Sequence, residues 1–468
     1  MTIVILSVIL LGFFLIATES LHHINKSTVA MFIGVLCWVL YIGYGMDFVQ
    51  QQYASEFAFF LENNPNRESH PANMFIAQNI FVRYINEAAQ IVFYLLSTMS
   101  IIEVLTNNGC FDFIKEWLRT RSAREFFWIL NLITFILSMN LDNLTTVCLM
   151  LGIIRVLIKE ERLRWMMGCS VVISANAAGA FTVVGDATTM LLWVKGLVTP
   201  SFLTAKLIFP IIVSVLVILL LVSKKLPRQI QLQNTIPSYR GDDAVLKRWQ
   251  RLLMLFVGVG GLSLVPVFHS ITFLPPFVGA LCVLALLWAM HELFNRTLLS
   301  SHRMISTYKP MALQYDTLQN ILFVLGIFMA MSAVVETGFL QMLFVNISEY
   351  VTDLYCISVV LGFLSALFGN VCTMLAGISI FTQEGAATNP MLVADFMSDG
   401  DFWPLLSYTT ALGASMLTIG SVSGFSLMKM EGVTISWYLR HFTFKVIAGW
   451  IAGLLVYVII ENSFWLNV

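Results

Sequence analysis

Ser138-Met139-Asn140-Leu141-Asp142-Asn143-Leu144-Thr145-Thr146 interrupts an apolar run that extends from Phe126 to Ile158. A carboxylate stands at its centre. An ionisable side chain at membrane depth costs roughly 2.5–3.5 kcal/mol on insertion scales and more on an isolated helix, so a chain carries one for a purpose, usually ion or proton traffic. A second apolar run is broken in the same manner by Gly179-Ala180-Phe181-Thr182-Val183-Val184-Gly185-Asp186-Ala187-Thr188-Thr189. We read the two interruptions as halves of one cation site.

Composition sets the surroundings of these breaks. Of 468 residues, 58% are hydrophobic and 11% charged, against about 25% charged in soluble domains. The apolar segments run to roughly the 17–25 residues of a spanning helix, and the alternating pattern of a membrane barrel is missing. The chain is therefore expected to be an all-α polytopic membrane protein, with lipid as its first partner. A formal net charge of −1 gives no case for a nucleic-acid partner. Met1 to Thr18 lacks a basic leader and a small-x-small cleavage pattern and reads as a retained helix. The seven cysteines form neither a CxxC pair nor a Cys/His cluster, so we read them as reduced core residues. No cofactor and no enzyme chemistry is expected.

Lys and Arg favour cytoplasmic loops. The basic groups around Lys26, 115–124, 155–164, 224–251, 296–309 and 429–445 are accordingly placed on the cytoplasmic side. The run from Phe126 to Ile158 then starts and finishes on one face. It is expected to form a re-entrant helical hairpin with Asp142 near its tip, because each arm of ~15 residues falls short of the ~20 that a full span needs. Backbone at such a tip must be buried in protein or line a water-filled cavity. Trp165 to Val198 crosses outward with the second break at its middle, and Thr204 to Val222 returns.

The second half reads as the first turned upside down. Arg251 to Leu293 goes out and back, turning near Pro266 and Pro275-Pro276. Thr317 to Leu340 leads outward. Tyr355 to Phe381 has acidic, base-free flanks and forms a second hairpin, from the opposite face. Phe402 to Leu427 crosses inward with a break from Gly413 to Ser423, and Arg440 to Ile460 leaves again. Ala178-Gly179-Ala180 followed by Gly185-Asp186 matches Gly413-Ala414-Ser415 followed by Gly420-Ser421 at constant offset. Ser138, Asp142-Asn143 and Thr146 match Ser365, Gly369-Asn370 and Thr373 in the same way. Paired broken segments point to a transport site at a repeat interface. The expected fold is two inverted-topology repeats, each with a re-entrant helical hairpin and a broken transmembrane helix. Residues 1–75 are N-terminal scaffold helices and an outer loop, 76–222 the first repeat, 223–250 a cytoplasmic linker and 251–462 the second repeat with scaffold helices.

A broken helix exposes unpaired carbonyl and N–H groups at its cut ends. Sodium and lithium are hard cations that want oxygen ligands. Asp142, Asp186, the amides of Asn143, Asn176 and Asn370 and the hydroxyls of Thr145, Thr146, Thr188 and Thr189 supply such oxygens. Ser138, four residues before Asp142, shares its helical face. If the two acids lie close, they titrate as a coupled pair, and a cation competes with their protons for the same oxygens. That competition, combined with alternating access, is exchange. Blander roles exist for each residue: Asp186 capping a half-helix, or a hydroxyl bonding a neighbouring helix. Glu103 is a candidate relay or an interfacial residue. Arg83 and Glu87, four apart, are expected to pair with each other.

Leu141-Asp142-Asn143-Leu144-Thr145-Thr146 resembles the NhaD-type sodium/proton antiporters of the ion transporter (ArsB–NhaD) superfamily. So does Asn176-Ala177-Ala178-Gly179-Ala180 leading to Gly185-Asp186-Ala187-Thr188-Thr189-Met190-Leu191-Leu192-Trp193. The stretch from Gly413 to Ser421 and Trp437-Tyr438-Leu439 share the likeness, which runs from about Phe75 to Tyr457. The resemblance implies exchange of cytoplasmic Na+ or Li+ for external H+ in a multi-pass protein of a bacterial inner membrane or a related organelle membrane. It also implies a homodimer with a mobile transport domain. Its ion-handling positions would be Ser138, Asp142, Asn143, Asn176, Asp186, Thr188, Thr189, Ser365 and Asn370, with Na+ or Li+ held at Asp142 and Asp186. One position departs: the family's second tip reads Asp-Asn, and here it reads Gly369-Asn370, which bears on stoichiometry, ion preference and pH response. The nearest rival is an anion carrier of the same superfamily, for dicarboxylates or arsenite, in which a tip acid such as Asp142 would repel the substrate. An intramembrane aspartyl protease is remoter, since Val183-Val184-Gly185-Asp186 lacks the first glycine of its Gly-x-Gly-Asp motif.

Overall fold

The computed structural model describes residues 1–19, 24–63, 70–118, 120, 122–230, 246–294, 311–340, 342, 353–381 and 395–462. The centre of the linker, 231–245, and the basic group at 296–309 lie outside them. The described residues are helical, and no strand forms among them beyond an isolated Ser122–Gln229 bridge. In chain order, α1 is Thr2–Ala17, α2 Lys26–Gly43, α3 Gly45–Gln52 and α4 Ala54–Asn63, followed by the long α5, Pro71–Asn107. The first break separates α6, Ala123–Ser138, from α7, Asn143–Leu157. The second separates α8, Glu161–Gly179, from α9, Ala187–Val194.

Beyond them run α10, Pro200–Ser223, α11, Arg248–Ser263, α12, Val265–Thr272, α13, Pro276–Phe294, and α14, Met311–Glu336. The last set is α15, Leu354–Phe368, α16, Asn370–Phe381, α17, Phe402–Ala414, α18, Val422–Glu431, and α19, Ile435–Asn462. Six of the described helices are long and apolar enough to cross a membrane, or seven if α11 and α12 count as one bent span. The protein is an all-α, multi-pass integral membrane protein.

Local chemistry sets several helix ends. Asn25, Ser122, Asp142, Ser421 and Thr434 each accept a bond from a first-turn backbone N–H, as good N-caps do. The turns expected at the two proline sites separate into different features. Pro266 sits in the first turn of α12, after a 49° bend from α11, while the reversal comes at Phe273, at φ +57°, just ahead of Pro275-Pro276.

The chain divides into two compact units that cut across its linear order. Unit 1 comprises Met1–Phe93, Ala312–Asp353 and Val371–Phe396, and unit 2 comprises Tyr94–Met311, Leu354–Asn370 and Met397–Val468. In unit 2, α10 packs along α19, α15 along α17, and α6 and α7 both pack on α8. A buried polar ladder pins α6 to α8. Asn131 Nδ2 donates to Phe127 O at 2.8 Å and to Ser170 Oγ at 3.1 Å, and Ser174 Oγ donates to Asn131 Oδ1 at 2.8 Å. Interhelical bonds of this sort are worth on average about 0.6 kcal/mol each in a membrane protein.

Candidate functional site

All the polar residues of the two breaks lie in unit 2. At the first break, Asp142 is the N-cap of α7 and its Oδ2 accepts from Thr145 N at 3.3 Å and Thr145 Oγ1 at 3.4 Å. Asp186 holds the same place on α9 but makes no capping bond with its side chain. Its Oδ2 instead accepts from Thr188 Oγ1 at 2.7 Å and from Asn370 Nδ2 at 2.9 Å. Both acids are buried, and Asp186 lies within electrostatic reach of Asp142. Each also stands at a helix N-terminus, whose partial positive charge favours an anion there and offsets part of their mutual repulsion.

The breaks are held against each other by short bonds. Ser138 Oγ donates to Ala175 O at 3.0 Å, and Thr182 Oγ1 donates to Met139 O at 2.7 Å. A Cβ on Gly185 would sit 2.6 Å from Thr182 Oγ1, 2.7 Å from Ser138 O and 2.8 Å from Gly179 Cα, so no larger residue fits this crossing. Thr189 Oγ1 closes the second break on itself, with Thr182 O at 2.8 Å, Asp186 O at 2.9 Å and Gly179 O at 3.4 Å. Ser365 Oγ spends its proton on Thr410 O at 2.7 Å. Ser138, Thr189 and Ser365 are therefore bonded first to backbone, and the structure brings Asn370 and Thr188, rather than these three, directly onto an acid.

The amides form a second strand of the site. Asn143 Nδ2 donates to Asn176 Oδ1 at 3.3 Å, and Asn176 Nδ2 donates to Ser415 Oγ at 3.0 Å. Ser423 Oγ also donates to Asn176 Oδ1, at 2.7 Å, and stands 3.1 Å from Ser421 Oγ. Asn143 and Asn370 both use Nδ2 on protein partners, and among the described residues no hydrogen bond reaches either Oδ1. Those carbonyl oxygens remain open to a ligand. Thr146 keeps a buried Oγ1 without a partner among the described residues, a condition that costs roughly 1–3 kcal/mol unless something fills it. The oxygen set suits a small hard cation. Glu103 is half-buried on α5, within unit 2.

Known proteins resemble this chain over most of its length. Residues 13–398 match the family described as "Citrate transporter". The chain is 32% identical over 378 residues to "Sodium/proton antiporter 2" of Arabidopsis thaliana, which covers 81% of this chain and 86% of that protein. It is 26% identical over 456 residues to "Na(+)/H(+) antiporter NhaD" of Alkalimonas amylolytica, covering 91% and 83%. The chain belongs to the NhaD-type sodium/proton antiporter family, within the citrate-transporter group.

The second of the two matched polar stretches differs from the first in its backbone. Gly369 adopts φ +92°, a left-handed conformation that costs about 1–2 kcal/mol for a residue with a Cβ, whereas Asp142 at the first tip is at φ −50°. Gly369 and Asp142 thus differ in backbone as well as in side chain. Three contributors escaped the sequence reading as individual site residues. Ser415 and Ser423 reach Asn176 from the last break, and Tyr94 donates its hydroxyl to Val184 O at 3.4 Å within electrostatic reach of Asp142. The serines had a signal, since they lie inside the polar interruption from Gly413 to Ser423. Tyr94 had none in an aromatic-rich helix.

Proposed function

We propose that this chain exchanges Na+ or Li+ from the cytoplasm for external H+, at a pocket organised by Asp142 and Asp186. One observation carries the reading: two buried acids that open separate half-helices stand within reach of each other, and Asn370 of the second tip braces one of them. A cation entering that oxygen set competes with protons for the same carboxylates. Asn143, Asn176, Asn370, Thr188 and Thr189 complete the proposed ligand and support set, with Ser138 and Ser365 as anchors of the two arms and Glu103 as a relay. The family membership supports the same exchange, as do the names of the plant and bacterial antiporters that the chain resembles.

The two halves read as inverted repeats, with 76–222 and 251–462 as their limits, 223–250 between them and 1–75 as scaffold. Matching bonds support this. Ser138 to Ala175 O and Ser365 to Thr410 O occupy corresponding positions, and Asp186 and Ser421 begin corresponding half-helices. The arms α6 and α7 have 16 and 15 residues, or about 24 and 22 Å at 1.5 Å per residue, short of a ~30 Å hydrocarbon core and in keeping with a re-entrant hairpin. The repeat reading puts the start of α6 and the end of α7 in the cytoplasm and the end of α14 outside. A homodimer in a membrane that holds a proton gradient, such as the bacterial inner membrane, belongs to the same proposal.

A second reading, transport of a carboxylate anion, draws on the description of the matching family. Two acids in the pocket count against it. Everted vesicles carrying a pH-sensitive dye separate the two. Addition of Na+ or Li+ is expected to restore fluorescence with the wild type, and Asp142→Asn and Asp186→Asn to abolish the response while thermal unfolding is unchanged. A response to dicarboxylate in place of cation would transfer the protein to the second reading. Undiminished exchange in both variants would end the proposal.

A further inference from the structure

One buried acid of unit 1 has no part in the aspartate pocket. Glu336 is the last residue of α14 and is 1% exposed. Its two oxygens are treated unequally. Oε1 accepts from Tyr84 Oη at 2.6 Å, Tyr53 Oη at 3.1 Å and Arg83 Nη2 at 3.1 Å. Oε2 is buried with no hydrogen-bond partner among the described residues. The Arg83 side chain is 53% exposed, so the balancing charge reaches in from the surface. Tyr41 Oη, on α2, is a second buried polar atom without a partner among the described residues, and it lies within electrostatic reach of Glu336, Tyr53 and Arg83.

An ionised oxygen buried without a donor loses its hydration and gains nothing, at about 1–3 kcal/mol or more. A proton on Oε2 turns that acceptor into a donor and removes the charge paired with Arg83. The phenol bonds to Oε1 and the Arg83 Nη2 bond to Tyr53 Oη at 3.1 Å stay in place. Tyr53 lies outside the spanning helices, and burial pushes its phenol up to about 12, so it stays a donor over the working pH range. The cluster therefore has two states that differ by one proton, and Tyr41 Oη, without a partner among the described residues, lies within electrostatic reach of both Glu336 and Arg83. We propose that Glu336 is a further proton-binding carboxylate, set among Tyr41, Tyr53, Arg83 and Tyr84, and that its proton tunes exchange.

The connection to exchange runs through helices. Within unit 1, α14 meets α16 where Cys372 Sγ stands 3.5 Å from Met331 Sδ, and α16 begins at Asn370, which holds Asp186. The tuning role rests on the exchange reading, and on its orientation Glu336 equilibrates with the external solution. The binding of a proton does not rest on that reading, so the two are tested separately.

Infrared difference spectra of the purified full chain in liposomes, taken across an alkaline pH step, report the carbonyl band of protonated carboxylic acids. Glu336→Gln is expected to remove one component of that band, and the same component to survive in a variant carrying both Asp142→Asn and Asp186→Asn. Tyr41→Phe, which keeps the ring stacked 5.0 Å from Phe48, is expected to move the midpoint of that component by about half a pH unit or more, and it tests the site even if Glu336→Gln folds poorly. In vesicles Glu336→Gln is expected to keep the cation response while its pH of half-maximal activity moves by about one unit. A carbonyl band identical in wild type, Glu336→Gln and Tyr41→Phe would overturn the proton site. A Glu336→Gln transporter with the wild-type pH profile would overturn the tuning role. A wild type without any cation response would instead sink the exchange reading and leave the infrared result standing.

Discussion

Asp142 and Asp186 occupy equivalent places at the starts of α7 and α9 and use them differently. Asp142 is committed to the first turn of its own helix through Thr145, while Asp186 is bound by a neighbour at position 188 and by a residue 184 positions away. Asn370 is thus the residue whose removal should be felt most at Asp186. Hydrogen bonds to a charged group are worth about 1.5–3 kcal/mol. Asn370→Ala is expected to raise the Na+ concentration for half-maximal dye response by roughly tenfold or more, and to lower the unfolding temperature modestly. Thr188→Val should act in the same direction. A variant of either kind with wild-type Na+ dependence would show that the bond to Asp186 is not used in binding.

The elements are where glycine decides what can approach what. Gly185→Ala would push a Cβ into Ser138 O, Thr182 Oγ1 and Gly179 Cα, an overpacking of the crossing that typically costs about 1–3 kcal/mol and should lower the unfolding temperature in detergent. At the second tip, the sequence suggests that Gly369→Asp simply restores an acid. The φ of +92° changes that expectation: Gly369→Asp should lose about 1–2 kcal/mol of stability before any effect on the pH profile is read, although the space around it is open, with Gly420 O at 3.5 Å. Polar residues inside apolar runs made both breaks, both acids and the arms legible in the amino-acid order, because a carboxylate at membrane depth is too costly to keep without a use. The partner of Arg83 was not legible. Spacing suggests Glu87, yet the guanidinium reaches Glu336, 253 positions distant, and periodicity carries no information about such pairings. The tip glycine's backbone angle was hidden for the same reason: one residue letter does not reveal which dihedral region it serves.

For the molecule as a whole, ion pairs fasten helices far apart in sequence. In unit 2, Arg164 Nε meets Glu431 Oε2 at 2.7 Å, with the Glu431 side chain 1% exposed, joining the start of α8 to the end of α18. Lys206 Nζ lies 2.9 Å from both Asp401 and Glu461, joining α10, the start of α17 and the end of α19. Removing one partner of a buried pair typically costs about 3–5 kcal/mol, because the other charge is stranded. Arg164→Ala should therefore unfold at a clearly lower temperature than Glu431→Gln, and the reverse order would show that the clasp is not what holds these helix ends. The glycine at the second tip has a further consequence, for bioenergetics. A pocket with two carboxylates can release at most two protons to one arriving metal ion. A two-for-one swap carries net current and is driven by voltage, whereas a one-for-one swap is electrically silent. If exchange runs through the proposed pocket, the absence of a third acid at Gly369 caps its coupling ratio, and with it the cation gradient that a given proton-motive force can sustain.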